Sequence, residues 1–140
     1  MTSPAARALE GVRVLELAHL IAGPTCGMYL ADMGADVIKV ESREAPDASR
    51  TVYGIARAGE GILHLTVNRN KRALCIDLGK PMGREAFYRL VRTADVVLEG
   101  YRNGVAEKLG IDYATLKPLN SRLVYCSLSA FGPGGPWRNK

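Results

Sequence analysis

The sequence predicts an α/β fold, a doubly wound and mainly parallel sheet, from three observations. Short Val- and Leu-rich runs recur along the chain, segments with helical apolar spacing separate them, and Gly or Pro marks the junctions. Residues 12–17 alternate only weakly and read as a buried strand. After the turn 18–23, Pro24 suits the first position of a helix, where its missing N–H costs nothing. Cys26, Tyr29, Leu30 and Met33 fall at i, i+3, i+4 and i+7, which predicts one apolar helical stripe. Gly34 ends that helix, and Asp36 leads into a second strand, 37–41. Strand, helix and strand in this order imply a parallel pair with a right-handed crossover.

Residues 42 to 66 are polar and rich in Gly, Ala and Ser, and predict a loop with a short helical turn. A third strand covers 73–78, and Pro81 opens a helix whose buried face is Ala86, Phe87, Leu90 and Val91. Residues 95–99 make a fourth strand, 105–109 and 113–119 short helices, and 122–128 the last strand. The tail from Phe131 is loop-like. Sheets of this kind bind ligands beyond the carboxyl ends of their strands. Functional residues are therefore expected in segments 19–23, 42–43, 78–80, 100–102 and 129–132.

Composition narrows the classes of function. The 140 residues suffice for one domain with a real core, and 47% are hydrophobic. No apolar run approaches the roughly 20 residues of a membrane span, and the polar start Met1–Arg7 has no signal-peptide core. A cytoplasmic protein without a membrane partner is expected. Cys26, Cys75 and Cys126 lack metal-site or disulfide spacing and read as small core residues, so no metal is expected. The net charge of +5 suits phosphorylated ligands, but aromatics are only 6% and are not interleaved with the basic residues. A nucleic-acid partner is disfavoured.

Four segments could carry chemistry. Arg69, Lys71 and Arg72 place fixed positive charge before an apolar strand; they could receive an anion at the mouth of the sheet or form a solvated face. Because they stand at a strand start, they could also act from behind the ligand contacts. The turn Ala22-Gly23-Pro24-Thr25-Cys26-Gly27 imitates a dinucleotide loop but lacks GxGxxG, and Pro24 removes an amide that a pyrophosphate would use. Gly23 and Gly27 fit close packing of helix on sheet instead. Gly100-Tyr101-Arg102 delivers an aromatic face and a cation to the ligand edge, with Lys108 further on; an ordinary loop is the alternative. His19 and Cys26 have no orienting acid for nucleophilic catalysis, and His64 reads as a surface residue.

Taken together, residues 9–17, Ala22-Gly23-Pro24, 30–41, Asn70-Lys71-Arg72-Ala73, 94–99 and 123–132 resemble the N-terminal part of the class III CoA-transferases, the CaiB/BaiF group. Formyl-CoA transferase, carnitine CoA-transferases and 2-methylacyl-CoA racemases belong to that group. The resemblance implies a Rossmann-like large domain, of which residues 1–140 are an N-terminal fragment, together with a second domain and an interlocked homodimer. It implies coenzyme A, as acyl-CoA, for substrate and a carboxylic acid as acceptor. Its coenzyme contacts carry over onto Ile21 and Ala22, onto Ile76, Asp77, Leu78 and Gly79, onto Gly100, Tyr101 and Arg102, and onto the cation Lys108. The family arginine after the second strand falls on Ser42, with Arg43 as the neighbouring substitute. The common Asn-Phe-Arg-Pro-Gly pattern reads Gly100-Tyr101-Arg102-Asn103-Gly104 here.

Transferases of the group use an aspartate that attacks the acyl-CoA thioester, giving an anhydride and then an aspartyl-CoA thioester; the racemases use a His/Asp pair. Both positions fall beyond Lys140, so no catalytic residue is expected in this chain and the isolated 140 residues are expected to be inactive. Two readings stay open beside the transferase: a racemase-type isomerase of the same group, and a non-catalytic module that binds CoA or a nucleotide.

Overall fold

The structure, a computed structural model, describes residues 7–57 and 59–138. The start read above for a targeting signal lies largely outside them. β1 (Arg13–Leu17) and β2 (Asp36–Glu41) flank α1 (Ala22–Asp32), and a short 3-10 turn follows at Ala48–Arg50. A two-stranded antiparallel ribbon, β3 (Ile55–Arg57) and β4 (Glu60–Gly61), leads into α2 (Ile62–Val67). Then come β5 (Arg72–Cys75), α3 (Pro81–Val91), β6 (Val96–Glu99), α4 (Val105–Leu109), α5 (Tyr113–Leu116) and β7 (Val124–Ser127). The five main strands are all parallel, in the order β5-β2-β1-β6-β7. The chain thus builds outward from β1 in one direction and then in the other. The strand order reverses between β1 and β6, where doubly wound sheets hold their ligands.

Strand alternation divides the interior into two layers. Leu15, Leu17, Ile38, Val40 and Val97 pack with Phe87 and Val91 of α3 and with Ile111 and Leu116. Each large side chain buried this way contributes on the order of 1.5–3 kcal/mol. On the other layer Val14, Val37 and Leu98 pack with Ala31 of α1 and with Ala35. The face expected for α3 is thus correct at Phe87 and Val91, which are both 0% exposed.

The stripe expected for α1 is not the buried one. Tyr29 and Met33 are exposed, whereas Gly23, Pro24, Gly27, Met28 and Ala31 are buried. The reason is close approach. A Cβ at Gly23 would overlap that of Ala18, and one at Gly27 would overlap the Glu16 carboxylate. The helix therefore turns its smallest side chains to β1, and volume outranks hydrophobicity in choosing the face. Three other expectations are corrected. Segment 42–66 holds the β3–β4 ribbon and α2 besides its short turn. His64 is 9% exposed, bonded at Nδ1 to Ser49 and Asn68. Cys75 is exposed on the edge strand β5, while Cys26 and Cys126 pack against the α1-side core.

Candidate functional site

The carboxyl ends of the strands surround an apolar hollow of about 260 Å³. Val40 and Glu41 line it from the end of β2, Ser42 and Ala45 from the loop that follows, and Ile76, Asp77, Leu78 and Gly79 from the turn after β5. His19 closes the β1 side, and Tyr101 and Leu109 the β6 side. The ring of Tyr101 lies 6.0 Å from that of His19, tilted by 55°. Its N–H donates to Glu99 Oε2 at 2.8 Å. Burial first, and the Glu99 carboxylate second, push its hydroxyl up to about 12, so the phenol stays neutral and protonated at pH 7.

The turn after β5 is held from several sides. Ile76 N–H donates to the Glu41 carbonyl at 2.8 Å, extending the ladder one residue beyond the strand. Asp77 Oδ1 accepts from Gly79 N–H at 2.9 Å, a side-chain turn that ends the extended run earlier than the 73–78 expected. Arg84, reaching from α3, donates to the carbonyls of Leu78 and Gly79 at 3.2 and 3.4 Å. A second hollow, about 520 Å³, adjoins the first across Tyr101 and is lined by residues 100–103, by residues 128–131 and by Arg138. Asn103 closes this part of the rim, its amide donating to the carbonyls of Gly132 and Arg138.

Ile76, Asp77, Leu78, Gly79 and Tyr101 thus meet in one hollow, and Gly100, Tyr101 and Arg102 in the next. Arg43 and Lys108 are exposed and line neither; Lys108 neighbours the lining residue Leu109. Among the described residues neither they nor Arg102 forms an ion pair. Ile21 and Ala22 are exposed at the start of α1, which has no side-chain cap. That leaves the first amides of the helix to other acceptors.

The cations of segment 69–72 serve a different purpose. Arg69 pairs with Asp32 and Arg72 with Asp36, at 2.6 and 2.7 Å, and Lys71 is buried against Glu16. They stand at the amino end of β5, opposite the carboxyl rim, so the charge expected at the mouth of the sheet is spent on the fold's own carboxylates, by Lys71 in the interior and by the two arginines at the surface.

Lys71 opens a buried series of charges beneath α1. Lys71 Nζ meets Glu16 Oε2 at 2.7 Å, Lys39 Nζ meets Glu16 Oε1 at 3.1 Å, and Lys39 Nζ meets Asp47 Oδ2 at 2.8 Å. Burial would raise the Asp47 carboxyl, but Lys39 and the amides of Leu20 and Ser49 outweigh it and hold the group well below the usual range. Beyond Asp47, Glu41 is clasped by Arg50, which also forks onto Glu60 at 2.7 and 2.8 Å. Burial again opposes ionisation of Glu41, and the Arg50 bonds with the Asp47 amide overcome it, leaving the group lowered. Lys71 apart, which the sequence singles out within its basic segment, none of the residues in this series stands out as a site residue in the sequence, and neither does Arg84. The register Glu16↔Lys39 is the one signal that could have exposed the first pair.

Among the described residues no group of three or more His, Cys, Asp or Glu is placed to hold a metal ion. No helix among them is long and apolar enough to cross a membrane.

Residues 9–140 match the family described as CoA-transferase family III. The chain is similar to the succinate–glutarate CoA-transferase of Agrobacterium fabrum, 46% identical over 136 residues, which are 92% of this chain and 34% of that protein. It is similar to the formyl-CoA:oxalate CoA-transferase of Rhodopseudomonas palustris, 38% identical over 128 residues, 91% of this chain and 30% of the other. A CAIB/BAIF family protein from Brucella suis superposes with a TM-score of 0.89 at 42% identity, over 96% of this chain and 36% of that one. The chain spans about a third of the length of the curated relatives it matches.

Proposed function

Because the chain belongs to the CoA-transferase family III, we propose that it supplies the coenzyme-binding platform of an acyl-CoA:carboxylate CoA-transferase. The observation that carries this reading is the junction of the turn 76–79 with Tyr101 in one apolar hollow at the carboxyl rim. An adenine ring suits such a wall, since a neutral tyrosine face stacks on a purine without the cost of burying a charge. Phosphates suit the surroundings: Arg43, Arg102 and Lys108 stand exposed, and no carboxylate among the described residues pairs with them. The uncapped start of α1 adds amides and a positive helix end on the β1 side.

In the reaction, this platform would orient the thioester and leave bond-breaking to a carboxylate that residues 1–140 do not supply. The similar proteins are named for succinate and glutarate and for formyl-CoA and oxalate. A short dicarboxylic acid is accordingly the acceptor class we assign, and an interlocked homodimer the assembly. Calorimetric titration of CoA into the protein tests the site. Arg102→Ala and Lys108→Ala are each expected to weaken binding about tenfold, near 1.4 kcal/mol. Unchanged affinity in both variants would remove the assignment.

A further inference from the structure

The loop between β1 and α1, together with the first turn of α1, is gripped at three points by buried charges that the coenzyme reading does not use. Lys39 Nζ donates to the Ala18 carbonyl at 2.8 Å. Asp47 Oδ1 accepts from Leu20 N–H at 3.0 Å. Lys71 Nζ donates to the Pro24 carbonyl at 2.7 Å. With Glu16 these residues form a neutral quartet of alternating sign, and no side chain in it is more than 3% exposed. Such quartets are seldom more stabilising than the apolar packing that could replace them, so stability alone does not account for this one.

Leu20 sits between the outer grips with φ of 64°, in the left-handed region. A leucine is disfavoured there, and such a conformation persists only where its surroundings over-determine it. Here the determining contact is Asp47, 27 residues away in sequence. Asp47 is itself fixed: its N–H donates to Glu41 Oε1, and the oxygen that holds Leu20 also accepts from Ser49 N–H. Leu20 leads directly into Ile21 and Ala22, so its backbone angles aim their amides.

We propose that Asp47, seated by Lys39, is a positioning residue for the coenzyme: it holds Leu20 left-handed and so directs the Ile21 and Ala22 amides toward the ligand. This inference rests on the coenzyme reading above. Lys39→Met/Asp47→Ala removes one charge of each sign and leaves Glu16 with Lys71, so no buried charge is left unpaired. Asp47→Asn, nearly isosteric, is a milder second probe.

In calorimetric titration of CoA, the double variant is expected to bind at least tenfold more weakly than the parent, and Asp47→Asn to lose less. Adding Leu20→Gly to either should recover a several-fold part of the loss, because glycine enters the left-handed region without help. In the parent, where Asp47 already holds the loop, the same change should bring no gain. A purely structural role for the quartet predicts no such rescue. Folded variants that bind as the parent does, or losses that glycine does not reduce, would overturn the proposal. A parent protein that fails to bind CoA would instead sink the coenzyme reading itself.

Discussion

The two ends of this sheet use lysine and arginine differently. Beneath α1 and at the amino ends of the strands, Lys39, Lys71, Arg69 and Arg72 are all paired with carboxylates. At the carboxyl rim Lys80 meets Asp77 and Arg50 clasps Glu41, but Arg43, Arg102 and Lys108 are exposed, and among the described residues none of these three forms an ion pair. The same residue types therefore perform different physical work. A buried cation whose neutralising carboxylate lies within 3.1 Å fixes geometry, because neither partner can move without leaving a charge unpaired in a poor solvent. An exposed cation with no partner fixes little, but its charge remains available to a ligand.

The contrast breaks most visibly if a buried partner can be removed cheaply. Glu16→Gln leaves Lys39 and Lys71 without their shared carboxylate and should cost roughly 3–5 kcal/mol in denaturant unfolding. A loss below about 1 kcal/mol would mean that the two lysines do not need this carboxylate to stay buried. Gly27→Ala probes the same place by volume. Its Cβ would overlap the Glu16 carboxylate, and about 1–3 kcal/mol should be lost, whereas Gly134→Ala meets open space and should cost far less.

Salt sharpens the comparison further. Raising the ionic strength tenfold from about 0.05 M should weaken CoA binding several-fold, because exposed charges are screened over about 10 Å. The melting temperature should move little over the same range, since the quartet is dry. Equal sensitivity of both would erase the distinction.

The smallest expected effect is with acid. His64 is lowered from its ordinary 6.5 by burial first and by Arg50 second. Its folded value lies below its unfolded one, so its share of stability is present above pH 6.5 and declines as the pH falls through the folded value. Glu41 is likewise lowered from 4.5, which adds a second decline below that pH. His64→Gln should flatten the first decline in unfolding curves taken between about pH 7 and 5 and leave the second.

Strand positions and the parallel arrangement were legible in the sequence because buried parallel strands read as short apolar runs, and Val14, Val37 and Leu98 sit in such runs. The rim segments were legible for the same reason, being whatever follows those runs. The working face of α1 was not, because periodicity counts apolar residues, whereas the helix was placed by the absence of side chains at Gly23 and Gly27. The buried charges were hidden as well. Glu16 and Lys39 look like ordinary polar positions until register sets them side by side, and Asp47 lies in a polar loop whose return to Leu20 no local pattern announces. The basic segment before β5 misled for the converse reason: its density suggested a ligand, while its carboxylate partners are remote in sequence.

A crystal soaked with coenzyme A tests the central claim most directly. The account predicts adenine density against Tyr101 and the turn 76–79, with phosphates within reach of Arg102 and Lys108. Density for the nucleotide on any other surface, or none at a concentration that saturates binding in solution, would contradict it.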